Sequence, residues 1–176
     1  MQSSAELEVP ATEAEFTALY RREYASIARY FLRRGAGGLT PDLAAETFIV
    51  AWRQRHQWHG LPTDRRLAWL YGVARNVLAN ARRSRQRSDA LTDRLARPGA
   101  PTITDHSGAS VQLLAVAQAF ARLPEADQEL LRLIAWEDLS LAQAAQVLGC
   151  RVRTATMRLH RARARLRKLL EEKDTP

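Results

Sequence analysis

Cysteine is nearly absent from this chain of 176 residues, since Cys150 is the only one. A single cysteine excludes an internal disulfide, and with four scattered histidines no zinc site is expected. No apolar run reaches the roughly 18 residues that would span a membrane. The acidic start "MQSSAELEVPATEAEF" lacks the cations and the apolar stretch of a signal peptide. These absences predict a cytosolic protein with no membrane insertion, no metal and no cofactor.

Clustered catalytic groups are also missing from the sequence. It has no evident nucleophile with its base and no dense set of carboxylates. Asp42 and Glu46 are one helical turn apart and could face one metal ion, but their segment offers no further ligands. We therefore predict that the chain is not an enzyme.

Positive charge is concentrated in two blocks. The net charge is +8, yet residues 65–87 hold seven cations, residues 151–168 hold eight, and neither block contains an acid. The remaining residues together carry a net charge of −7, so the cations are not spread along the chain for solubility. Two basic stripes on an otherwise acidic chain favour a polyanion partner, most often nucleic acid, over solvated charged faces.

The apolar spacing predicts helices almost throughout, because no segment alternates with period two for long enough to form a strand. Capping boxes are expected at the pairs Thr12–Glu15 and Ser140–Gln143. Thr40, followed by Pro41, is expected to cap the second helix. Residues predicted to face inward include Phe16, Tyr20, Tyr24, Ile27 and Phe31 early in the chain, Leu114, Ala117 and Phe120 later, and Val152, Ala155, Leu159, Ala162, Leu166 and Leu169 at its end.

The helical pattern is interrupted in the middle of the chain. Residues 88–109 lack sustained periodicity and hold Pro98, Gly99, Pro101 and Gly108, which is typical of a linker. The predicted fold is therefore all-α, with two small helical bundles joined by a flexible linker. The expected domains are residues 13–87 and residues 110–172.

The second domain contains a predicted helix-turn-helix. A short helix ends at Gly149, where glycine permits a left-handed turn, and the small Ala145 lets the next helix cross closely. In such motifs the second helix enters the major groove, and the residues near its start meet base edges. The residues proposed to contact DNA here are Arg151, Arg153, Thr154, Thr156, Met157, Arg158, Arg161 and Arg165. Arg161, Arg165 and Lys168 are expected at phosphates, and for Met157 a partly buried core position is an equal alternative.

Three segments, in this order, resemble a bacterial RNA polymerase sigma factor of the sigma-70 family: "DLAAETFIVAWRQR", "WLYGVARNVLANARR" and "LPEADQELLRLIAWEDLSLAQAAQVLG" followed by "RLHRARARLR". The resemblance is to the small extracytoplasmic-function (ECF) group and covers about Glu13 to Leu170. It implies a first domain that opens the minus-ten element and binds the polymerase, and a second that reads the minus-thirty-five element as duplex. The implied partners are core RNA polymerase, promoter DNA and an anti-sigma factor.

The resemblance also implies roles for individual residues. The core-polymerase-binding segment corresponds to Asp42, Leu43, Glu46, Thr47, Phe48 and Trp52. The minus-ten contacts, starting with a loop that captures a flipped base, correspond to Trp58, His59, Arg65, Arg66, Trp69, Arg75, Asn76, Asn80, Arg82 and Arg83. Aromatic and amide groups suit exposed bases, and cations suit the strand. For Trp69 and Phe48, burial in the core is an alternative.

The recognition helix departs from the family pattern. The family usually opens this helix with Ser, then Gly-Thr-Val and a basic residue followed by Ser, whereas this chain has "RVRTATM" from Arg151 to Met157. An unusual minus-thirty-five sequence is therefore expected. The alternative function is a helix-turn-helix regulator that acts without polymerase, but it leaves the first basic block unexplained.

Overall fold

The structure is a computed structural model that describes residues 12–92 and 111–172. Every regular element in these two ranges is a helix, which confirms the all-α prediction. The chain divides into two compact units, Met1–Arg83 and Ser84–Pro176, and each is described by itself.

The first unit is built from α1 (Glu13–Leu32), a single 3₁₀ turn (Gly37–Leu39), α2 (Thr40–Arg53), the one-turn α3 (Arg55–Trp58) and α4 (Thr63–Thr92) up to Arg83. The Thr12–Glu15 capping box begins α1 as predicted. Because the box satisfies two backbone donors that the first helical turn leaves free, it contributes about 1 kcal/mol.

The core of the first unit lies where α1, α2 and α4 meet. Its fully or almost fully buried side chains are Ile27, Tyr30 and Phe31 of α1, Leu43, Phe48 and Ala51 of α2, and Leu70, Tyr71, Ala74, Val77 and Leu78 of α4. The rings of Tyr30 and Tyr71 lie 5.5 Å apart and join α1 to α4. Each large apolar side chain buried here contributes roughly 1.5–3 kcal/mol.

Two expectations for this unit are wrong. Tyr20 was predicted to face inward but is 40% exposed, because its ring lies over the edge of the core, 4.8 Å from that of Phe48. Thr40 does not cap α2: its amide already donates to Gly37 O in the 3₁₀ turn, and its buried hydroxyl has no hydrogen-bond partner among residues 12–92 and 111–172. The 3₁₀ turn runs directly into α2, so the first turn of α2 has no side-chain cap.

Helix α4 extends into the segment predicted to be a linker. Helix α4 continues through Thr92, so the first five residues of the segment 88–109 are helical. The reason is local, since no proline or glycine occurs between Gly72 and Pro98 to end the helix. The rest of that segment up to residue 110 lies outside the described residues.

The second unit is formed by α5 (Val111–Ala121), α6 (Glu125–Ala135), α7 (Leu141–Val147) and α8 (Val152–Glu171), with α8 packed against the other three. The Ser140–Gln143 capping box is present as predicted. The buried apolar residues are Ala119, Leu123, Leu130, Leu133, Leu139, Ala144, Ala145, Val147, Ala155 and Ala162. Leu114, Ala117 and Val152, predicted to be inward, are exposed. The buried positions are instead Ala119 of α5, Leu123 just after α5, and Ala155 of α8.

Candidate nucleic-acid interface

The turn between α7 and α8 fixes the geometry of the helix-turn-helix. Gly149 has φ +64°, its amide donates to Gln146 O, and the amide of Cys150 donates to Ala145 O. This pair of bonds is a Schellman motif, in which a left-handed glycine closes the end of a helix. The Ala145 side chain is buried. The predicted helix-turn-helix is therefore present.

The start of α8 presents a polar and cationic surface. Buried Ala155 and Ala162 hold the helix against the unit, and their small size allows close packing. The exposed residues from the predicted set are Arg151, Arg153, Thr154, Thr156, Met157 and Arg161, while Arg158 is half-buried. Met157 is 50% exposed, which rules out the alternative that it is a core residue.

Arg165 occupies a different environment from the one predicted. Its guanidinium donates to Asp127 Oδ2 at 2.5 Å, and the Asp127 side chain is 7% exposed. The pair therefore joins α8 to the first turn of α6. Arg163 and Arg167, which the sequence analysis did not single out, are exposed and line a shallow groove along α8 with Thr156 and His160. Their i, i+4 spacing on one helix face was the signal that could have identified them.

The exposed face of α4 carries much of the predicted minus-ten set. Arg65, Arg75, Asn76, Asn80 and Arg83 are all exposed. The guanidinium of Arg83 donates to Asn80 Oδ1, which orients both side chains on the same helix face.

Arg82 and Arg66 instead have contacts within the fold. Arg82 donates to Arg34 O at 3.1 Å and so ties α4 to the end of α1. Arg66 Nε donates to Leu61 O at 3.0 Å, inside the loop that precedes α4. Both residues therefore support the shape of the surface from which they project.

Trp58 is buried, which corrects the prediction that it contacts a base. Its side chain is 0% exposed and its Nε1 donates to Ala51 O at 2.8 Å. Trp58 packs with Leu19, and Phe16, Leu61 and Trp69 lie around this pair, so Trp69 is partly buried. The indole is thus the anchor of the loop of residues 59–62, and His59 at the start of this loop remains partly exposed.

The core-binding segment divides between two faces of α2. Leu43, Thr47 and Phe48 are buried, and the Thr47 hydroxyl donates to Leu43 O, so these three residues hold the helix in the core. Asp42, Glu46 and Trp52 face outward. Ile49, which was not predicted to contact the polymerase, is exposed as well. Ile49 continues the face of Asp42 and Glu46 at the i+7 position.

Neither a metal site nor a membrane span is evident in the described ranges. Within residues 12–92 and 111–172 no three His, Cys, Asp or Glu side chains come together as metal ligands. In the same part of the chain no helix is both long and apolar enough to cross a bilayer.

Comparisons with known proteins match both units. The family described as Sigma-70 region 2 matches residues 17–88, and the family described as Sigma-70, region 4 matches residues 113–166. The chain is 33% identical over 165 residues to the ECF RNA polymerase sigma factor SigL of Mycobacterium tuberculosis, covering 92% of each chain. It is 30% identical over 161 residues to the RNA polymerase sigma-E factor of Streptomyces avermitilis, covering 86% of each.

Solved structures agree on the fold. The sigma factor RpoE, solved in complex with the anti-sigma factor NepR from Bartonella quintana, matches with a TM-score of 0.64 at 23% identity, over 89% of this chain and 96% of that one. CnrH, solved in complex with the cytosolic domain of CnrY, matches with a TM-score of 0.62 at 24% identity, over 92% and 91%. The chain belongs to the ECF group of the sigma-70 family and is a sigma factor that directs promoter recognition and transcription initiation by RNA polymerase.

Proposed function

We propose that this sigma factor divides its work between three surfaces. The start of α8 reads the minus-thirty-five element in the major groove. The exposed face of α4 and the loop of residues 59–62 bind and open the minus-ten element. The outer face of α2, with Asp42, Glu46, Ile49 and Trp52, docks on core polymerase. The chain acts as an initiation factor rather than a catalyst, in the cytoplasm where polymerase and promoter meet.

The observation that carries the proposal is the start of α8. After the turn at Gly149, the exposed side chains of Arg151, Arg153, Thr154 and Met157 project together from one helix end. Arginine donates two hydrogen bonds to guanine, and an apolar tip contacts the methyl group of thymine. Arg161, Arg163 and Arg167 follow along the helix and suit phosphates, which position the protein without specifying sequence.

The test compares a base-reading arginine with a phosphate-binding one. Run-off transcription of genomic fragments with core polymerase first supplies a promoter. Arg153→Ala should cost about 1–3 kcal/mol on that minus-thirty-five duplex and relax preference at one or two positions. Arg167→Ala should weaken all duplexes alike and lower the salt slope by roughly one. Uniform loss with unchanged preference in both variants would reduce α8 to an electrostatic clamp.

A regulator that acts without polymerase, the alternative stated from the sequence, does not fit the match of residues 17–88 to sigma region 2. Its second domain would behave in the same way in this test, but it gives no role to the unit that matches sigma region 2. Co-purification with core polymerase separates the two functions.

An anti-sigma factor is a further expected partner. Two sigma factors of the same fold, RpoE and CnrH, were each solved bound to a second protein, named as an anti-sigma factor in the case of RpoE. Exposed apolar side chains on both units, such as Ile49 and Trp52 on α2 and Trp136 after α6, offer contact area to such a protein. Co-purification from the native host, followed by inhibition of run-off transcription by the captured protein, tests this expectation.

A further inference from the structure

The loop of residues 59–62 is attached to the first unit on two sides by hydrogen bonds. At its start, buried Trp58 donates to Ala51 O, and at its end Arg66 donates to Leu61 O. Within it, Gly60 has φ +78° and the amide of Leu61 donates to Trp58 O at 3.2 Å. The loop is therefore shaped in advance of any DNA.

A third contact lies between this loop and α1. His59 Nδ1 lies 3.6 Å from Glu15 Oε2. This nitrogen is buried and has no hydrogen-bond partner in the described part of the chain, so the carboxylate is the acceptor towards which it is turned. A separation of 3.6 Å is beyond hydrogen-bond length but within that of an ion pair when the imidazole is protonated.

One carboxylate oxygen of Glu15, Oε2, is close to both Thr12 and His59. Oε2 accepts from the Thr12 amide at 2.7 Å and from the Thr12 hydroxyl at 3.1 Å, which completes the capping box. The bond from the Thr12 amide is the main cause of the lowered pKa of Glu15, with smaller contributions from His59 and Arg66. Glu15 thus stays ionised and fixed at the beginning of α1, where Phe16 packs against the Trp58 cluster.

We propose that Glu15 is a positioning residue for promoter opening, because its carboxylate holds His59 and thereby orients the loop of residues 59–62 towards the base that this loop captures. The inference rests on the proposed minus-ten role of the loop. A pre-oriented loop loses little conformational freedom when it binds an extruded base. The saved free energy therefore favours the step in which the duplex is unpaired.

The matched variant is Glu15→Gln, because glutamine also completes a capping box and removes only the charge that faces His59. In holoenzyme, Glu15→Gln should lower open-complex formation on a duplex promoter about two- to five-fold relative to a pre-melted one, the size expected of a partly exposed ion pair. In the free full-length chain, hydrogen exchange at the Leu61 amide should become faster. In a His59→Ala background, Glu15→Gln should have no further effect.

Thr12→Ala is the control for a merely structural role. It removes the capping hydroxyl but keeps the carboxylate beside His59, so it should lower the Tm and leave the duplex to pre-melted ratio unchanged. Equal loss on both templates in Glu15→Gln, or an effect that persists without His59, would overturn the inference.

A Gly-Ser replacement of residues 59–62 separates this inference from the proposed function. If that replacement lowers the template ratio and Glu15→Gln does not, only the positioning role of Glu15 is wrong. If the replacement also leaves the ratio unchanged, the loop does not capture a base and the proposed minus-ten role fails with it.

Discussion

The two units present their arginines in different ways. On α8 the side chains of Arg151, Arg153 and Arg161 project from a helix whose buried face at Ala155 and Ala162 is made of small residues. In the first unit, Arg66 donates to Leu61 O in the loop and Arg82 donates to Arg34 O just after α1. The contrast fits the two proposed tasks, since one rigid helix suits the reading of a straight duplex whereas a shaped receptor suits the binding of an opened strand.

Aromatic residues show the same division. The first unit contains a connected set of rings, in which Phe16, Tyr20 and Tyr24 lie around Phe48 and Phe16 also contacts Trp52. The second unit has the pair Phe120 and Trp136, with rings 5.9 Å apart. Large rigid side chains thus pack between α1 and α2 in the first unit, while the core of the second unit is made of leucine, alanine and Val147.

The largest effect is expected from Trp58→Ala in the first unit. It deletes a fully buried indole and its bond to Ala51 O, so it should cost about 3–5 kcal/mol of unfolding free energy. Thermal unfolding followed by circular dichroism measures this loss, and Trp58→Phe should lose less. A variant that remains as stable as the parent but loses only minus-ten binding would show that Trp58 contacts DNA directly.

How far the sequence predicts this structure depends on the distance over which each interaction acts. The capping boxes at Thr12 and Ser140 and the turn at Gly149 were predictable because their partners lie within a few residues. The contacts of Arg82 with Arg34 and of Arg165 with Asp127 span 48 and 38 residues, and no local pattern identifies such partners.

The same distinction applies to the candidate site. Which residue types gather on α4 and α8 could be predicted from charge and spacing. Whether a given side chain faces DNA or supports the fold could not, because burial is decided by the packing of several helices. Trp58 illustrates this, since an aromatic residue next to a loop is equally typical of a base contact and of a core anchor.

A glycine pair compares the two units at equal expected cost in stability. Gly149 and Gly60 have φ +64° and +78°, and an added Cβ would meet nothing within 4 Å at either position. Each alanine substitution should therefore cost only the left-handed backbone penalty, about 1–2 kcal/mol. Gly149→Ala should weaken binding to the minus-thirty-five duplex, and Gly60→Ala should lower opening of duplex relative to pre-melted promoters. The same functional loss in both variants would mean that the units do not act separately.

Arg165→Ala tests whether Arg165 of α8 stabilises the fold rather than binding DNA. Its loss leaves the buried Asp127 carboxylate without its partner, and because Arg165 is itself 54% exposed the cost should be about 1 kcal/mol. The Tm should fall while the salt slope of duplex binding changes little. Arg167→Ala is the control: it should lower the salt slope of duplex binding and leave the Tm unchanged. If Arg165→Ala lowers the salt slope by roughly one and leaves the Tm unchanged, Arg165 binds a phosphate as first predicted.

The smallest effect is expected on the outer face of α2. Asp42 and Glu46 are exposed one turn apart, so they are available to basic groups on the polymerase. Exposed charges at the edge of an interface contribute little, because solvent screens them. Glu46→Lys should therefore weaken holoenzyme formation by about 1 kcal/mol, or roughly five-fold, with the Tm unchanged. A pull-down titration with core polymerase measures the affinity. The control is Ala45→Lys, since Ala45 is also exposed on α2 and the substitution adds a positive charge while keeping both acids. If the two variants bind core polymerase equally well, the acidic pair is not a contact, and docking depends on the apolar side chains of Ile49 and Trp52 instead.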